Sequence, residues 1–527
     1  MTITRRFIAA FAAVVAVTVT AVPAQSATLR WAAQNDIVTL DPHSQNHTTT
    51  HTVLQHAYEG LVRFDKQFQV EPCLATSWRQ ISPTQLRFNL RKGVKFHDGS
   101  VFTADDVVFS YGRIMQPQGS NQMYVAGVKE VKKIDDYTVD FILSDPNPVL
   151  LRLLPMFRIM SKTWAAKNRS EKIQDFKARE ENYASRHANG TGPYMIKQWE
   201  PDKRVVMSAN PAWWDKTEGN ATEVIYLPIK SDATRMAALL SGEVDLVTDI
   251  PTQDVTRLKG DPRLKVLEGV EARSIYIGLD VYSPELKYSN VKGKNPFTDI
   301  RVRKALNLAV DREAIRRVTM RGLSIPAVLV VPPGVTGHSV EIDKVTPVDV
   351  DGAKKLLAEA GYPNGFEFGL DCPNNRYVND EEICQALVGL WAKAGLKVRL
   401  TAQPMATYFV KIQNFDHSAY MLGFAAAAFD AETSLQAIAH TKTTGADGSF
   451  NFGRISDPKL DALIDAGKTE MDAKRREALL RDALVRVRDN FYFVPLHHQM
   501  HPWAMKKNVS AVHNAYDMQD SRFARVE

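Results

Sequence analysis

The sequence predicts an α/β protein divided into two or three domains, and three observations carry that prediction. Segments that alternate polar and apolar residues, the period of a half-buried strand, are interleaved with segments whose apolar residues recur every three or four positions, the period of an amphipathic helix. At 527 residues the chain exceeds what one compact core accommodates. Its composition, 44% hydrophobic and 24% charged, is ordinary for a globular protein and leaves ample apolar material for a large interior.

Residues 1–27 read as a secretory signal, with Arg5 and Arg6 as a positive start, an uncharged apolar run from Phe7 to Val22, and small-residue cleavage positions after Ala24 or Ala27. The run is shorter than the ~20 residues needed to cross a bilayer and it ends in Pro23, so export with cleavage is expected and anchoring is not. The first strand and loop of the mature chain run through Asn35-Asp-Ile-Val-Thr-Leu-Asp-Pro-His43. Histidines 43, 47 and 51 then recur every fourth residue and His56 follows, a spacing that on a helix sets imidazoles on one face as a metal site would. Pro42 and the β-branched run Thr48-Thr-Thr50 argue against helix through the whole stretch, and no second-shell partners are recognisable. Surface and capping roles are therefore expected, and neither a metal nor a cofactor.

The most informative stretch is Pro72-Cys-Leu-Ala-Thr-Ser-Trp78 followed by Leu86 to Tyr111. Leu86, Phe88 and Leu90 alternate with Arg87, Asn89 and Arg91 as a half-buried strand does. Lys92-Gly93 turns the chain, Val94 and Phe96 resume the alternation, and Asp98-Gly99 leads into a helix with Thr103 as N-cap and Asp106 at N3. Further on, Arg235 to Leu240 reads as a helix closed by Ser241-Gly242, and Glu243 to Val247 as a strand. Asp299 caps a helix whose Val302, Ala305, Leu306 and Ala309 share one face, extending to Asp311-Arg312. Ala353 to Ala360 is another helix, stopped by Gly361 with Pro363 beyond. Phe491-Tyr-Phe-Val-Pro-Leu496 reads as a buried strand.

Several functions are poorly supported. No Gly-x-Ser-x-Gly elbow, His-Glu-x-x-His helix, phosphate-binding loop or dinucleotide glycine pattern is present, so the chain is not expected to be an enzyme. Of the net charge of +6, Arg5 and Arg6 leave with the signal, giving +4 without any run of five like charges, and no nucleic-acid partner is expected. The three cysteines lie in an oxidising compartment; Cys372 and Cys384 are a plausible pair, and buried unpaired thiols are the alternative.

The Pro72–Tyr111 stretch resembles the signature of family 5 extracellular solute-binding proteins, the peptide, dipeptide and nickel receptors of ABC importers. So do Asn189-Gly-Thr-Gly-Pro-Tyr194, Asn210-Pro-Ala-Trp-Trp214, Ser241-Gly-Glu-Val-Asp245, Arg301 to Arg312 and Ala358-Glu-Ala-Gly-Tyr362. The resemblance thus covers nearly the whole mature chain. It implies a two-lobed periplasmic binding protein-like fold (class II) with an extra subdomain in the first lobe. By analogy the main lobe comprises 28–72, 190–283 and 489–527, the extra subdomain 73–189, and the second lobe 284–488. It further implies a monomeric periplasmic receptor that closes on a peptide or peptide-like solute and delivers it to two membrane permease subunits driven by cytoplasmic ATPases. The lipid-attached cysteine of related receptors is missing, since no cysteine precedes Cys73.

Peptide receptors of this family hold the ligand's α-amino group with an aspartate shortly after an aromatic residue, and the matching segment here is Tyr420 to Glu432. Counted from Phe424, the expected carboxylate falls on Ala427. A free-amine peptide then lacks its countercharge, unless Asp430, three residues later, supplies it. A receptor for an opine, a sugar conjugate or a metal chelate such as nickel is the alternative. Phe424 is itself a candidate to stack on the ligand, and the remaining cleft candidates come from the Asn35–His43 segment, from Arg376, whose forked donors suit a carboxylate or phosphate, with Tyr377 and Tyr408 in the second lobe, and from Tyr276 near the crossover. Trp78, Trp164, Trp213 and Trp214 are expected to be structural.

Overall fold

The computed structural model describes residues 27–175, 178 and 180–527. The signal reading, apart from Ala27, lies outside the described residues. Eleven strands form one mixed sheet that runs through both halves of the molecule. In the first half Ala27–Ala33 pairs in parallel with Ala221–Pro228, and Arg204–Ala209 and Tyr194–Glu200 continue the sheet antiparallel. In the second half Glu367–Pro373 lies between Lys397–Gln403 and Ala419–Ala425, parallel to both.

Two long antiparallel strands join the halves: Leu264–Leu279, and Phe493–Lys506, the continuation of the strand expected from Phe491. Their register breaks between Val270 and Ser274. On one side of that break Leu246–Val247 pairs with Met505 and Ala504, and on the other Arg273 to Leu279 pairs with Ala425 to Ala419. The chain therefore changes half-sheets inside a strand, over a two-strand ribbon.

A separate antiparallel sheet, Ala75–Ser82, Gln85–Leu90, Thr138–Leu143 and Val128–Asp135 in that order, carries the helix Ala104–Ile114 and a core around Phe88, Phe102 and Phe141. Leu86, Phe88 and Leu90 are buried and Asn89 is exposed, as the alternation requires. The capping box forms, Asp106 accepting the Thr103 backbone N–H at 2.8 Å. Val94 and Phe96 are buried, but only an isolated Lys95–Val101 bridge forms there and not a strand.

Helices Asp232–Ser241 and Val350–Glu359 end at Gly242 and Gly361, both left-handed (φ +83° and +92°). The helix capped by Asp299 spans Ile300–Leu308, shorter than expected. Asp311 accepts the Ala314 N–H at 2.9 Å and so caps a new turn instead of continuing the old one. Cys372 and Cys384 form a disulfide in the core of the second half, and Cys73 is a buried free thiol. Among the described residues no helix is long and apolar enough to cross a membrane.

Candidate ligand-binding cleft

The two halves of the sheet face each other across a cavity of about 610 Å³, within the range typical of small-solute sites. Trp31, Asn35 and Asp249 line it from the first half, Arg376 and Tyr377 from the second, and Glu271, Arg273, Gln499 and His501 from the ribbon between them. Strand parity explains the ribbon's contribution. Around the register break Glu271 and Arg273 on one strand and Gln499 and His501 on the other face the cavity, with Pro502 beside them, while Ala272 and His498 do not line it.

The ribbon carries a charge network. Arg273 bonds Glu271 at 3.0 Å and the Gly423 carbonyl at 3.1 Å. Gln499 donates to Glu271 at 2.5 Å, and His501 Nδ1 lies 3.0 Å from Asp517, whose second oxygen accepts the Trp503 indole N–H at 2.6 Å. Burial pushes the Glu271 carboxyl up, but the charges of Arg273 and His501 outweigh it and hold it low. Burial likewise opposes protonation of His501, yet Asp517 and Glu271 raise its pKa to about 10, so it is a cation at neutral pH. Asp249 completes this side, with one oxygen accepting the Gln34 N–H at 2.7 Å.

Arg376 stands apart. Its backbone N–H bonds Asp380, but among the described residues its guanidinium has no hydrogen-bond or ion-pair partner. It lies 5.0 Å from the centre of the Tyr377 ring, against which Arg273 also rests at 5.9 Å. The residue is solvent-exposed at the cleft, and crowding of its guanidinium by neighbouring atoms, then the like charge of Arg273, lower its pKa from the usual arginine range. Two guanidiniums thus lie against one aromatic ring, and among the described residues only that of Arg273 has a carboxylate partner, Glu271.

The other sequence candidates do not join Arg376. Asp430 is buried and grips Arg476 with both oxygens at 2.5 and 2.7 Å while capping the helix Ala431–Ile438, so in this structure its charge is taken up by Arg476 and it does not line the cavity. Tyr408 is fully buried, its hydroxyl donating to the Met421 carbonyl. Tyr276 is fully buried against Phe493, and its hydroxyl has no partner among the described residues. Phe424 is half-buried against Phe450, and Ala427 begins a short helical turn. The histidines do not converge: His43 bonds the Arg158 carbonyl, His51 bonds Asn46 and His56 bonds Ser521. The helix there is Thr48–Ala57, its β-branched start notwithstanding. Trp213 and Trp214 donate to the buried carboxylate of Glu59.

Beside the cleft the two halves also touch directly. Ala428 and Phe429 take left-handed backbone (φ 56° and 52°), a costly conformation for such residues, held by the Thr336 N–H on the Phe429 carbonyl at 2.9 Å. This presses Phe429 among Phe64, Phe68 and Tyr516, with ring centres 6.4, 4.9 and 4.6 Å away, and Ala428 against Val149 and Leu153.

Known proteins share this architecture. Heme-binding protein A of Haemophilus influenzae is 29% identical over 471 residues, covering 85% of this chain and 82% of that protein. The periplasmic oligopeptide-binding protein OppA of Salmonella typhimurium is 28% identical over 484 residues, covering 86% and 84%. The structure of HbpA2 from Haemophilus parasuis matches with a TM-score of 0.82 at 26% identity over 95% of this chain and 100% of that one. The two-lobed fold with its extra subdomain is thus the one these receptors have. The family described as bacterial extracellular solute-binding proteins, family 5, matches residues 69–446, well over half of the chain, and the protein belongs to that family.

Proposed function

We propose that this chain is the periplasmic substrate-binding component of an ABC importer, and that its lobes close on a peptide or peptide-like solute bearing a carboxylate. The observation that carries the reading is the cleft guanidinium of Arg376, which has no partner of its own and shares the Tyr377 ring with Arg273. A carboxylate placed there receives the charge-assisted, forked bonds that no protein group supplies. Opposite it, Asp249, whose second oxygen is not used by Gln34, offers a partner for a ligand ammonium.

Closure turns on the ribbon. The register break at Val270–Ser274 sets the turning point inside the first crossover strand, ahead of a division at 283/284, with the second strand crossing opposite it. A ligand that touches both lobes favours the closed form differentially, which is what shifts the equilibrium the permease reads. The chain acts as a monomer delivering its solute to two permease subunits, and it binds without turnover.

A second reading, a non-peptide anion such as an opine or a sugar conjugate, is favoured by one observation: Ala427 stands where the family aspartate is expected and Asp430 is committed to Arg476. Native mass spectrometry of the freshly purified protein, with release and identification of any bound solute, separates the two. Co-purified peptides support the first reading, and one discrete opine or sugar acid the second. A solute without an acidic group refutes both.

A further inference from the structure

A second convergence of side chains lies on the far face of the ribbon from the cleft. His338 and Asp343 sit in the loop after the strand Ser324–Pro326, and His498 sits on the crossover strand Phe493–Lys506 with its side chain directed away from Gln499 and His501. The Nε2 atoms of His498 and His338 approach one and the same oxygen, Asp343 Oδ2, at 2.7 and 3.1 Å. All three candidate ligand atoms lie within 4.8 Å of one another, and the three side chains are 0%, 6% and 7% exposed for His498, His338 and Asp343.

The atoms around this centre are already held. Asp343 Oδ1 accepts the backbone N–H groups of Val328 and Leu329, each at 2.8 Å, which leaves Oδ2 as the oxygen that faces the imidazoles. His498 Nδ1 lies 2.7 Å from Ser274 Oγ, which fixes the ring and occupies the nitrogen not directed at the centre. Such outer partners orient histidine ligands in metal sites.

We propose that His338, Asp343 and His498 form a binding site for a divalent transition metal, zinc above all, with the fourth position open. Two imidazoles and one carboxylate are a donor set that zinc takes, at bonds of about 2.0–2.2 Å. Ligand atoms at the corners of a tetrahedron of that size stand about 3.3 Å apart. The observed 2.7 and 3.1 Å therefore need to open by about 0.6 and 0.2 Å. The proton balance is simple. In the metal-free form each imidazole donates Nε2–H to the carboxylate; on binding, that proton moves to Nδ1, from which His498 donates to Ser274 Oγ, and no net proton is released.

One group works against a cation. Arg312, buried nearby and bonded to the Ala327 and Pro495 carbonyls at 2.9 and 2.8 Å, feels the charge of Asp343 and competes for it. Moderate affinity follows, not that of a closed structural zinc site. Because Ser274 adjoins the register break, a metal here fastens the 327–343 loop to the ribbon that links the lobes.

The test uses mature full-length protein stripped with EDTA and titrated with zinc chloride against a chromophoric chelator, in parallel with cobalt(II). Uptake of one zinc per chain, with a dissociation constant on the order of micromolar, and the visible absorption of four-coordinate cobalt are expected. His338→Gln should weaken zinc at least tenfold. Ser274→Ala, at a positioning residue, should weaken it about tenfold while keeping the cobalt band, because only ring orientation is lost. Zinc binding no tighter than millimolar, or unchanged in His338→Gln, overturns the proposal. So does a metal lost with His501→Gln instead, since that places it at Asp249, His501 and Asp517 in the cleft. Should His338→Gln fail to fold, the cobalt spectrum of the wild-type protein and of His501→Gln decides: no four-coordinate band in the wild-type protein, or one lost with His501, refutes the site.

Discussion

Replacing Arg376 with alanine separates affinity from stability more cleanly than any other change in the cleft. Among the described residues the guanidinium has no hydrogen bond or ion pair to lose, and the like charge of Arg273 beside it is relieved when it goes. Folding stability should therefore stay within about 0.5 kcal/mol, as for substitutions away from packing and polar networks. Binding is different. A hydrogen bond to a charged group contributes about 1.5–3 kcal/mol, and the forked geometry of arginine on a carboxylate favours the upper end. That corresponds to roughly 10- to 150-fold in dissociation constant. Calorimetry on a co-purified peptide and on its C-terminal amide is the assay. Wild-type protein should prefer the free acid by about that factor, Arg376→Ala should bind acid and amide alike, and Arg376→Lys should fall between because charge survives without the fork. An equal loss for acid and amide, or no loss with melting unchanged, would refute the assignment of Arg376 to a ligand carboxylate.

Other substitutions probe the supporting structure. Asp430→Ala leaves the buried Arg476 unpaired and should destabilise by about 3–5 kcal/mol while changing ligand affinity less than twofold, by denaturation and calorimetry; a tenfold loss of affinity without destabilisation would return Asp430 to the ligand. Glu432 has its pKa raised to about 7, by burial and then by the charge of Asp430. Its proton is held more tightly in the folded than in the unfolded state, so this contribution to stability is complete below about pH 4.5 and is lost as pH rises through 7. Melting temperatures of Glu432→Gln should accordingly gain on the wild type between those values, and parallel curves would contradict the shift. Thiol titration in guanidinium without reductant should find one group per chain, Cys73, and three after reduction, and loss of the Cys372–Cys384 link should cost about 3 kcal/mol in the chain-entropy account.

Much of the fold was legible because its signals are local. The capping box at Thr103 and Asp106, the left-handed glycines at 242 and 361 and the alternation Leu86–Phe88–Leu90 depend on residues within a few positions of each other. The cleft is not local. Glu271 and Arg273 are charged residues alternating with small ones inside a strand that is otherwise largely apolar, a visible sign of a polar face within the sheet, yet which face meets the cavity depends on pairing with Phe493–Lys506, two hundred residues away. Tyr276, three residues beyond Arg273, has the opposite parity and falls into the core. Asp430 could not be assigned because its partner, Arg476, lies 46 residues on in a helix whose placement the motif does not encode. Asp517 and Tyr516 come from C-terminal coil with no periodicity at all.

The clasp of Phe429 among Phe64, Phe68 and Tyr516 bears on selectivity. Phe64, Phe68 and Phe429 do not line the cavity, so what their mutual contact contributes to closure is the same whichever solute fills it, whereas Tyr516 borders the cavity. A uniform term of this kind tightens binding of good and poor ligands by one common factor and leaves their ratio untouched. On the proposed reading discrimination falls to the polar groups that line the cavity, Arg273, Arg376, Asp249 and His501, and a strong clasp lets a receptor recognise a small polar determinant on solutes of varied bulk. Trimming Phe429 would then lower every affinity in proportion and alter no preference.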